Sequence, residues 1–286
     1  MKQRAFKQVD VFTATAYRGN PLAVVLDGTG LDDDAMQRFA RWTHLSETTF
    51  LLPPTQPQAD YQVRIFTPGS ELPFAGHPTL GSCHAWLEAG GVARQSGVIV
   101  QECKQGLVKI QRDASRLAFA APPLQRSEPN PAALADVLAA LGLAPRQVIA
   151  AQNLDNGPVW LGLLLESTDL VLQLAPDHSK LKQLGVKVGV AARSGVPKVQ
   201  GPWPAPELEV RAFAAPIGIE EDPVTGSLNA SLAQWLIAEQ RLPSAYVAAQ
   251  GTCLDRAGRV HVRQDDAGQV WVGGDSVTCI SGEVVL

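Results

Sequence analysis

Cysteine is scarce in this 286-residue chain: four are present, Cys83, Cys103, Cys253 and Cys279, with no Cys-x-x-Cys spacing among them. That excludes a disulfide framework and a thiolate metal cage, and the thiols read as reduced cysteines of a cytoplasmic protein. A basic block is also missing. With 24 Lys and Arg against 28 Asp and Glu the formal net charge is −4, so the chain lacks the clustered cations that a nucleic-acid surface needs to neutralise phosphates. No apolar run is long enough to span a bilayer, and the opening MKQRAFKQVDVF lacks the apolar core of a signal peptide. Neither Gly-x-x-x-x-Gly-Lys-Ser/Thr nor a Gly-x-Gly-x-x-Gly after a strand occurs, which removes P-loop and dinucleotide chemistry. There is no His-Glu-x-x-His. His77 and His84 stand seven residues apart in one expected helix, a poor basis for a metal site. The surroundings of Ser227 carry no nucleophile-elbow signature.

What is present is ordinary globular material, 45% hydrophobic and 18% charged, organised around two similar stretches. Arg64–Gly90 (RIFTPGSELPFAGHPTLGSCHAWLEAG) and Arg211–Gln240 (RAFAAPIGIEEDPVTGSLNASLAQWLIAEQ) share Arg-x-Phe and, further on, Glu-x-Pro-x-x-Gly. A shift of 150 pairs Glu71 with Glu221, Pro73 with Pro223 and Gly76 with Gly226. Each copy spells a strand, a Pro/Gly loop and a helix that opens at the glycine. The glycines let a ligand approach the backbone, and a helix N-terminus offers unpaired N–H groups with partial positive charge, so each copy is a candidate anion seat. Packing alone would also account for the glycines. Pro78 suits a first helical turn, and Thr225 or Ser227 offers a capping hydroxyl in the second copy.

Along the chain, Gln8–Thr13 and Leu22–Leu26 read as strands around the turn Tyr17-Arg18-Gly19-Asn20-Pro21. Asn20 is either a turn residue or a ligand contact. Asp32–Asp34 open a helix through Met36, Phe39 and Ala40 to Trp42. Leu45–Leu52 reads as a strand in which Glu47 is the odd residue: it either points to solvent at the strand's start, the reading favoured when it is taken alone, or is held in a site. Tyr61–Thr67 is a strand, Thr79–Glu88 a helix stopped by Gly90-Gly91, and Val98–Glu102, Leu107–Arg112 and Leu117–Ala120 are short strands. Pro122–Pro131 reads as a linker. Beyond it, Ala132–Leu141 and Ser179–Leu184 are helical, and Gln147–Ala151, Tyr246–Cys253, Val260–Arg263, Val270–Val272 and Ser276–Leu286 strand-like. Asn156-Gly157-Pro158 followed by Val159–Leu165 is a fainter counterpart of the first turn and strand.

His77 at the first helix opening, Asp222 just before the second and Ser227 on its first turn supply an imidazole, a carboxylate and a hydroxyl. If the two halves face each other, these groups converge on a small anion between two N–H-rich helix ends, a setting for acid–base chemistry.

Taken in order, Asp10-x-Phe12 with Gly19-Asn20-Pro21, Ser46-Glu47-Thr48, Phe74-Ala75-Gly76-His77-Pro78-Thr79 and Glu221-Asp222-Pro223-Val224-Thr225-Gly226-Ser227 resemble the motif set of the phenazine-biosynthesis PhzF-like family. The resemblance implies a diaminopimelate-epimerase-like α/β (α+β) fold of two pseudo-symmetric lobes, each a curved, mostly antiparallel sheet around a central helix. It also implies a homodimer, no cofactor and no metal, and isomerisation of a dihydro-hydroxyanthranilate by a glutamate that moves a proton between carbons. Carried over, that glutamate is Glu47, and Asn20, Gly76, His77, Asp222, Gly226 and Ser227 are the substrate-binding positions. Relatives with this fold that racemise amino acids place a cysteine just ahead of each helix glycine; here those positions are Ala75 and Thr225. Many members continue the second motif as Gly-Ser-Ala-His, whereas this chain has Leu228-Asn229, a change expected to alter the pocket.

The expected division is an N-terminal lobe over 1–124 and a C-terminal lobe over 125–286, with the tail 276–286 able to return to the first lobe. The expected activity is a cofactor-independent proton shift on a small cyclic amino- or hydroxy-carboxylate. The alternative is a binding protein that captures such a carboxylate without turnover. No nucleic-acid or membrane partner is expected.

Overall fold

A computed structural model describes residues 2–113, 116–195 and 205–286. The chain divides into two compact units, residues 1–120 with 273–286 and residues 121–272.

In the first unit, β1 (Gln3–Val11) and β2 (Asn20–Val25) pair antiparallel, with Val11 opposite Asn20. Helix α1 (Asp33–Thr43) crosses over to β3 (Thr48–Leu52), which lies parallel to β2 and antiparallel to β4 (Tyr61–Phe66). The short β5 (Glu71–Leu72) folds back on β4. Helix α2 (Gly76–Glu88) then crosses to β6 (Val98–Cys103), parallel to β4, and β7 (Gly106–Asp113) and β8 (Arg116–Ala120) complete an antiparallel meander. The C-terminal strand Ser276–Val285 pairs antiparallel with β1 over its whole length, with a bulge between Gln8 and Val9.

The two helices are built differently. Helix α1 buries only Met36, Phe39 and Ala40, which pack with Val25, Phe50 and Phe66. That is the single apolar stripe of a surface helix. Helix α2 buries every residue from Gly76 to Cys83 and also Ala85. A helix buried all round needs small residues where strands press against it. At Gly81 a Cβ would stand 2.6 Å from Leu22 Cδ2 and 2.8 Å from Val11 Cγ2, so the missing side chain lets β1 and β2 close on the helix.

In the second unit β9 (Gln125–Ser127) leads into α3 (Pro131–Leu141), and β10 (Val148–Asp155) pairs antiparallel with β9 and with β11 (Val159–Leu165). After α4 (Thr168–Gln173) and α5 (His178–Leu184), β12 (Val188–Arg193) lies parallel to β11 and antiparallel to β13 (Leu208–Ala214). Strand β14 (Ile219–Asp222) folds back on β13, and α6 (Gly226–Ala238) crosses to β15 (Ala245–Gln250), parallel to β13; β16 (Gly258–Gln264) and β17 (Val270–Gly274) follow. The outer helices α3, α4 and α5 cover one sheet face through Val137, Leu141, Val171 and Leu181, packed on Leu161, Leu163, Val188 and Val190. Helix α6 is the buried one, its first turns pressed on Gly189 of β12, where a Cβ would collide with Leu228 at 2.3 Å.

The order of pairing from β1 to β7 (antiparallel, parallel, antiparallel, a fold-back, parallel, antiparallel) recurs from β10 to β16. The shared Glu-x-Pro-x-x-Gly string has a local reason. Arg64 on β4 donates from Nε and Nη2 to Glu71 at 2.8 and 2.9 Å, and Arg211 on β13 donates from Nε and Nη2 to Glu221 at 2.9 and 2.8 Å. Each guanidinium also lies 5.0 Å from the ring centre of the phenylalanine two residues on, Phe66 or Phe213. This two-pronged clamp fixes the loop that delivers the chain to the helix glycine.

Four expectations need correction. Pro122–Pro131 is not a bare linker, because Gln125–Ser127 is strand β9. The strand expected over Leu45–Leu52 starts at Thr48, which leaves Glu47 on the loop before it. The strand expected over Tyr246–Cys253 ends at Gln250, and Cys253 lies in a 3₁₀ turn after Gly251, whose φ of +91° breaks the extended run. Helix α2 starts at Gly76, the glycine expected to open it, so the bound Thr79 expected for its body is three residues late.

Candidate active site

The first cluster is assembled where α2 begins. Ala75 takes the extended N-cap conformation and has no side-chain oxygen to offer, so Gly76 and His77 present their N–H groups uncapped. Pro78 adds no third donor, since it has no N–H. His77 is 4% exposed and its Nδ1 lies 3.1 Å from Glu47 Oε2. The Glu47 side chain is 16% exposed, so the exposed-carboxylate expectation fails: it is turned in against the imidazole.

Hydrogen bonds hold the loop bearing Glu47 on both sides. Thr43 and Thr48 share a hydroxyl–hydroxyl bond of 2.9 Å, and Ser82 on α2 donates to Thr49 Oγ1 at 2.8 Å. Asn20, 1% exposed at the start of β2, accepts a long 3.5 Å bond from Ser46 next to Glu47. His77 faces Glu47 through Nδ1, which leaves its other ring nitrogen, Nε2. Nε2 is buried and has no protein partner, an unmet polar atom on a residue of the uncapped first turn.

The second cluster is assembled where α6 begins, and its residues bond mainly to one another. Thr225 does not cap the helix with its side chain; its hydroxyl donates to Asp222 Oδ2 at 2.6 Å. Gln250, 1% exposed at the end of β15, accepts from Thr225 N at 3.0 Å and donates to Asp222 O at 3.0 Å and Thr225 Oγ1 at 2.9 Å. Asn229 donates to Thr225 O at 2.9 Å and Gln250 Oε1 at 2.8 Å. Ser227 is not an N-cap either: it is the second residue of α6, and its hydroxyl accepts from Trp160 Nε1 at 3.2 Å.

The seven predicted site residues thus fall into two groups. Asn20, Glu47, Gly76 and His77 gather in the first unit, and Asp222, Gly226 and Ser227 in the second. The two residues expected to alter the pocket, Leu228 and Asn229, are both buried. Leu228 is fully buried in the core over Gly189, and Asn229 is fully buried in the Gln250 web.

Sequence reasoning did not single out Gln250, Trp160 or Asn156 as site residues. A glutamine ending the apolar run AYVAAQ and a lone tryptophan in VWLGLLL were the available signals. A groove of about 660 Å³ at Arg126, Asp155, Val159 and Lys187 includes none of the predicted residues.

Three of the four cysteines are shifted away from the thiolate form. Burial pushes the Cys83 thiol in α2 up to about 12, and burial raises Cys103 and Cys253 as well. Among the described residues no three His, Cys, Asp or Glu side chains are grouped to hold a metal ion.

These features define a class: a mixed α/β protein in which a carboxylate–imidazole pair sits at an uncapped helix start. The sequence model of the family described as "Phenazine biosynthesis-like protein" matches residues 9–282, and the chain belongs to that family. It is 37% identical to "Antisense-enhancing sequence 1" of Schizosaccharomyces pombe over 99% of both chains. It is 32% identical to the trans-2,3-dihydro-3-hydroxyanthranilate isomerase of Pseudomonas aeruginosa, covering 97% of this chain and 98% of that one. A solved structure of a PhzF-family phenazine biosynthesis protein from Bacillus anthracis superposes with a TM-score of 0.85 at 23% identity over 100% of both chains.

Proposed function

We propose that this protein is an isomerase that shifts a proton between carbons of a small amino- or hydroxy-carboxylate, with Glu47 as the general acid/base. The observation that carries this reading is the contact of 3.1 Å between Glu47 and His77 at the uncapped start of α2. The carboxylate takes a carbon-bound proton, the electron pair of that C–H bond moves into the substrate's π system, and the same carboxylate returns the proton at another carbon. Mass is conserved, and no external oxidant or reductant enters. His77 holds the carboxylate through Nδ1, while the N–H groups of Gly76 and His77, with the helix dipole behind them, stabilise negative charge as the proton leaves. The reading needs neither metal nor cofactor.

Thiol-based two-base epimerisation does not fit this chain, because Ala75 and Thr225 occupy the N-cap positions and neither bears a thiol.

The relative from Pseudomonas aeruginosa supplies the first compound to test, trans-2,3-dihydro-3-hydroxyanthranilate. Proton NMR in D₂O should show an isomer forming, with deuterium at the reprotonated carbon to the extent that the Glu47 carboxyl exchanges with solvent, with the wild-type protein and not with Glu47→Gln. If the wild type binds the compound, raising its Tm, yet forms no isomer, the binding-protein reading replaces this one.

A further inference from the structure

Trp160 lies on β11 with 4% of its surface exposed, and its indole Nε1 donates to Ser227 Oγ at 3.2 Å. An indole N–H can only donate, so the bond assigns its own polarity: Ser227 is the acceptor. A serine hydroxyl has one proton and two lone pairs, and here one lone pair is committed inward. The proton is therefore available to an acceptor on the other side.

Its setting favours that. Around Ser227, which is partly accessible, Gly226 and Leu228 to Ala233 are buried. The backbone is held as well, since Asn156 Nδ2 donates to Ser227 O at 3.0 Å. The indole is fixed from its face by Lys187, whose Nζ stands 5.0 Å from the ring centre.

We propose that Trp160 is a positioning residue: by occupying an acceptor site of Ser227 it turns that hydroxyl into a dedicated hydrogen-bond donor toward a carboxylate of the substrate. This rests on the reading of Ser227 as a substrate contact. A freely rotating serine can meet a ligand either as donor or as acceptor, whereas one held by an indole N–H is biased to donate, as an anionic oxygen requires. The helix N-terminus behind it adds N–H groups of the same polarity.

The test compares Trp160→Phe, which keeps a smaller aromatic ring and loses the N–H, with Ser227→Ala and the double variant, using trans-2,3-dihydro-3-hydroxyanthranilate. A hydrogen bond to a charged group gives Ser227→Ala a KM increase on the order of tenfold or more. Trp160→Phe should raise KM by several-fold with kcat nearly unchanged, and should add nothing in the Ser227→Ala background. An equal effect of Trp160→Phe in both backgrounds, or no change in KM in the single variant, overturns the proposal while leaving the isomerase reading intact.

Should the wild type not turn this compound over, the isomerase reading is the one that fails for it. The Trp160 indole proton in an NMR titration with anthranilate, which shares the carboxylate, then decides the proposal. A shift of that resonance in the wild type that disappears in Ser227→Ala supports it. Ligand saturation shown by the Tm, with the indole proton unmoved, overturns it.

Discussion

Four of the six α-helices among the described residues carry a side-chain N-cap, and the two buried ones do not. Asp32 accepts from Ala35 N at the start of α1, Asn130 from Ala132 and Ala133 N at α3, Ser167 from Leu170 N at α4 and Asp177 from Lys180 N at α5. At α2 the N-cap is Ala75, and at α6 the Thr225 hydroxyl turns away to Asp222. A cap is worth about 1 kcal/mol. Outer helices collect that stabilisation, while the inner pair forgo it and keep their leading N–H groups for something else. The two uncapped starts then differ from each other. The second is laced by Gln250, with Asn229 Oδ1 the buried atom left without a partner, whereas the first sets His77, whose Nε2 is likewise unpartnered, against the Glu47 carboxylate. The proposed reaction is assigned to the start that carries the carboxylate–imidazole pair.

The largest effect should come from Glu47. Glu47→Gln keeps the shape and a hydrogen-bond acceptor for His77 but cannot take a proton, so isomer formation should fall by roughly 10²–10⁴-fold while ligand-induced stabilisation persists. His77 would remain folded into α2 in that variant. Equal turnover of Glu47→Gln and wild type would move the chemistry away from the first helix start and break the comparison between the two.

The arginine clamps sharpen the same contrast in stability. Arg211 and Glu221 are 6% and 8% exposed, and Arg211 Nη1 also donates to the carbonyls of Val171 and Leu174. Arg64 and Glu71 are 22% and 17% exposed, and Arg64 reaches out to Asp33, which is 82% exposed. Breaking the buried clamp with Arg211→Met should cost about 3–5 kcal/mol, because a carboxylate is left in a dry site. Arg64→Met should cost at most about 1 kcal/mol. Denaturant unfolding of the two variants measures the gap.

The outer clamp has a pH signature. The hydrogen bond from Arg64 holds the Glu71 carboxyl below its ordinary value near 4.5, and holds Asp33 below its ordinary value near 3.8. A lowered native pKa means that the unfolded chain binds more protons in that window. The stabilisation is therefore complete above about 4.5 and is lost as pH falls through the lower native values. The stability difference between wild type and Arg64→Met should be flat from neutral pH down to that point and then shrink. A difference that grows on acidification would contradict the clamp.

Much of this was legible in the chain because it is written in local chemistry. Glycine at 76 and 226, the Arg-x-Phe strands and the Glu-x-Pro-x-x-Gly loops each specify a backbone event within a few residues. Gly142 after Leu141 ends α3 in the same way, at a φ of +69°, whereas Asn130, read as part of the linker, is the cap that opens it. What stayed hidden depends on contacts distant in sequence. Whether Thr225 caps α6 is decided by Asp222 and by Gln250, 25 residues away. Ser227 is claimed by Trp160 at a separation of 67 residues. The burial of Glu47 depends on His77, and only the motif resemblance hinted at it. Leu228 reads as a pocket residue until Gly189 of β12, with no side chain of its own, is seen to leave room for it in the core.

The smallest expected effect tests the capping contrast directly. Ala75→Ser gives α2 a capping side-chain oxygen such as the outer helices have. Because the third residue of α2 is Pro78, the new oxygen can accept only from His77 N, the second position. The gain in stability should therefore be at or below about 1 kcal/mol, read as a small rise in Tm. That same N–H is one of the groups assigned to the developing negative charge, so its capture should slow isomer formation. A protein made more stable and less active by one hydroxyl would show that the missing cap is a functional feature. If Ala75→Ser gains stability with activity unchanged, the uncapped start of α2 is only a consequence of packing a helix among strands.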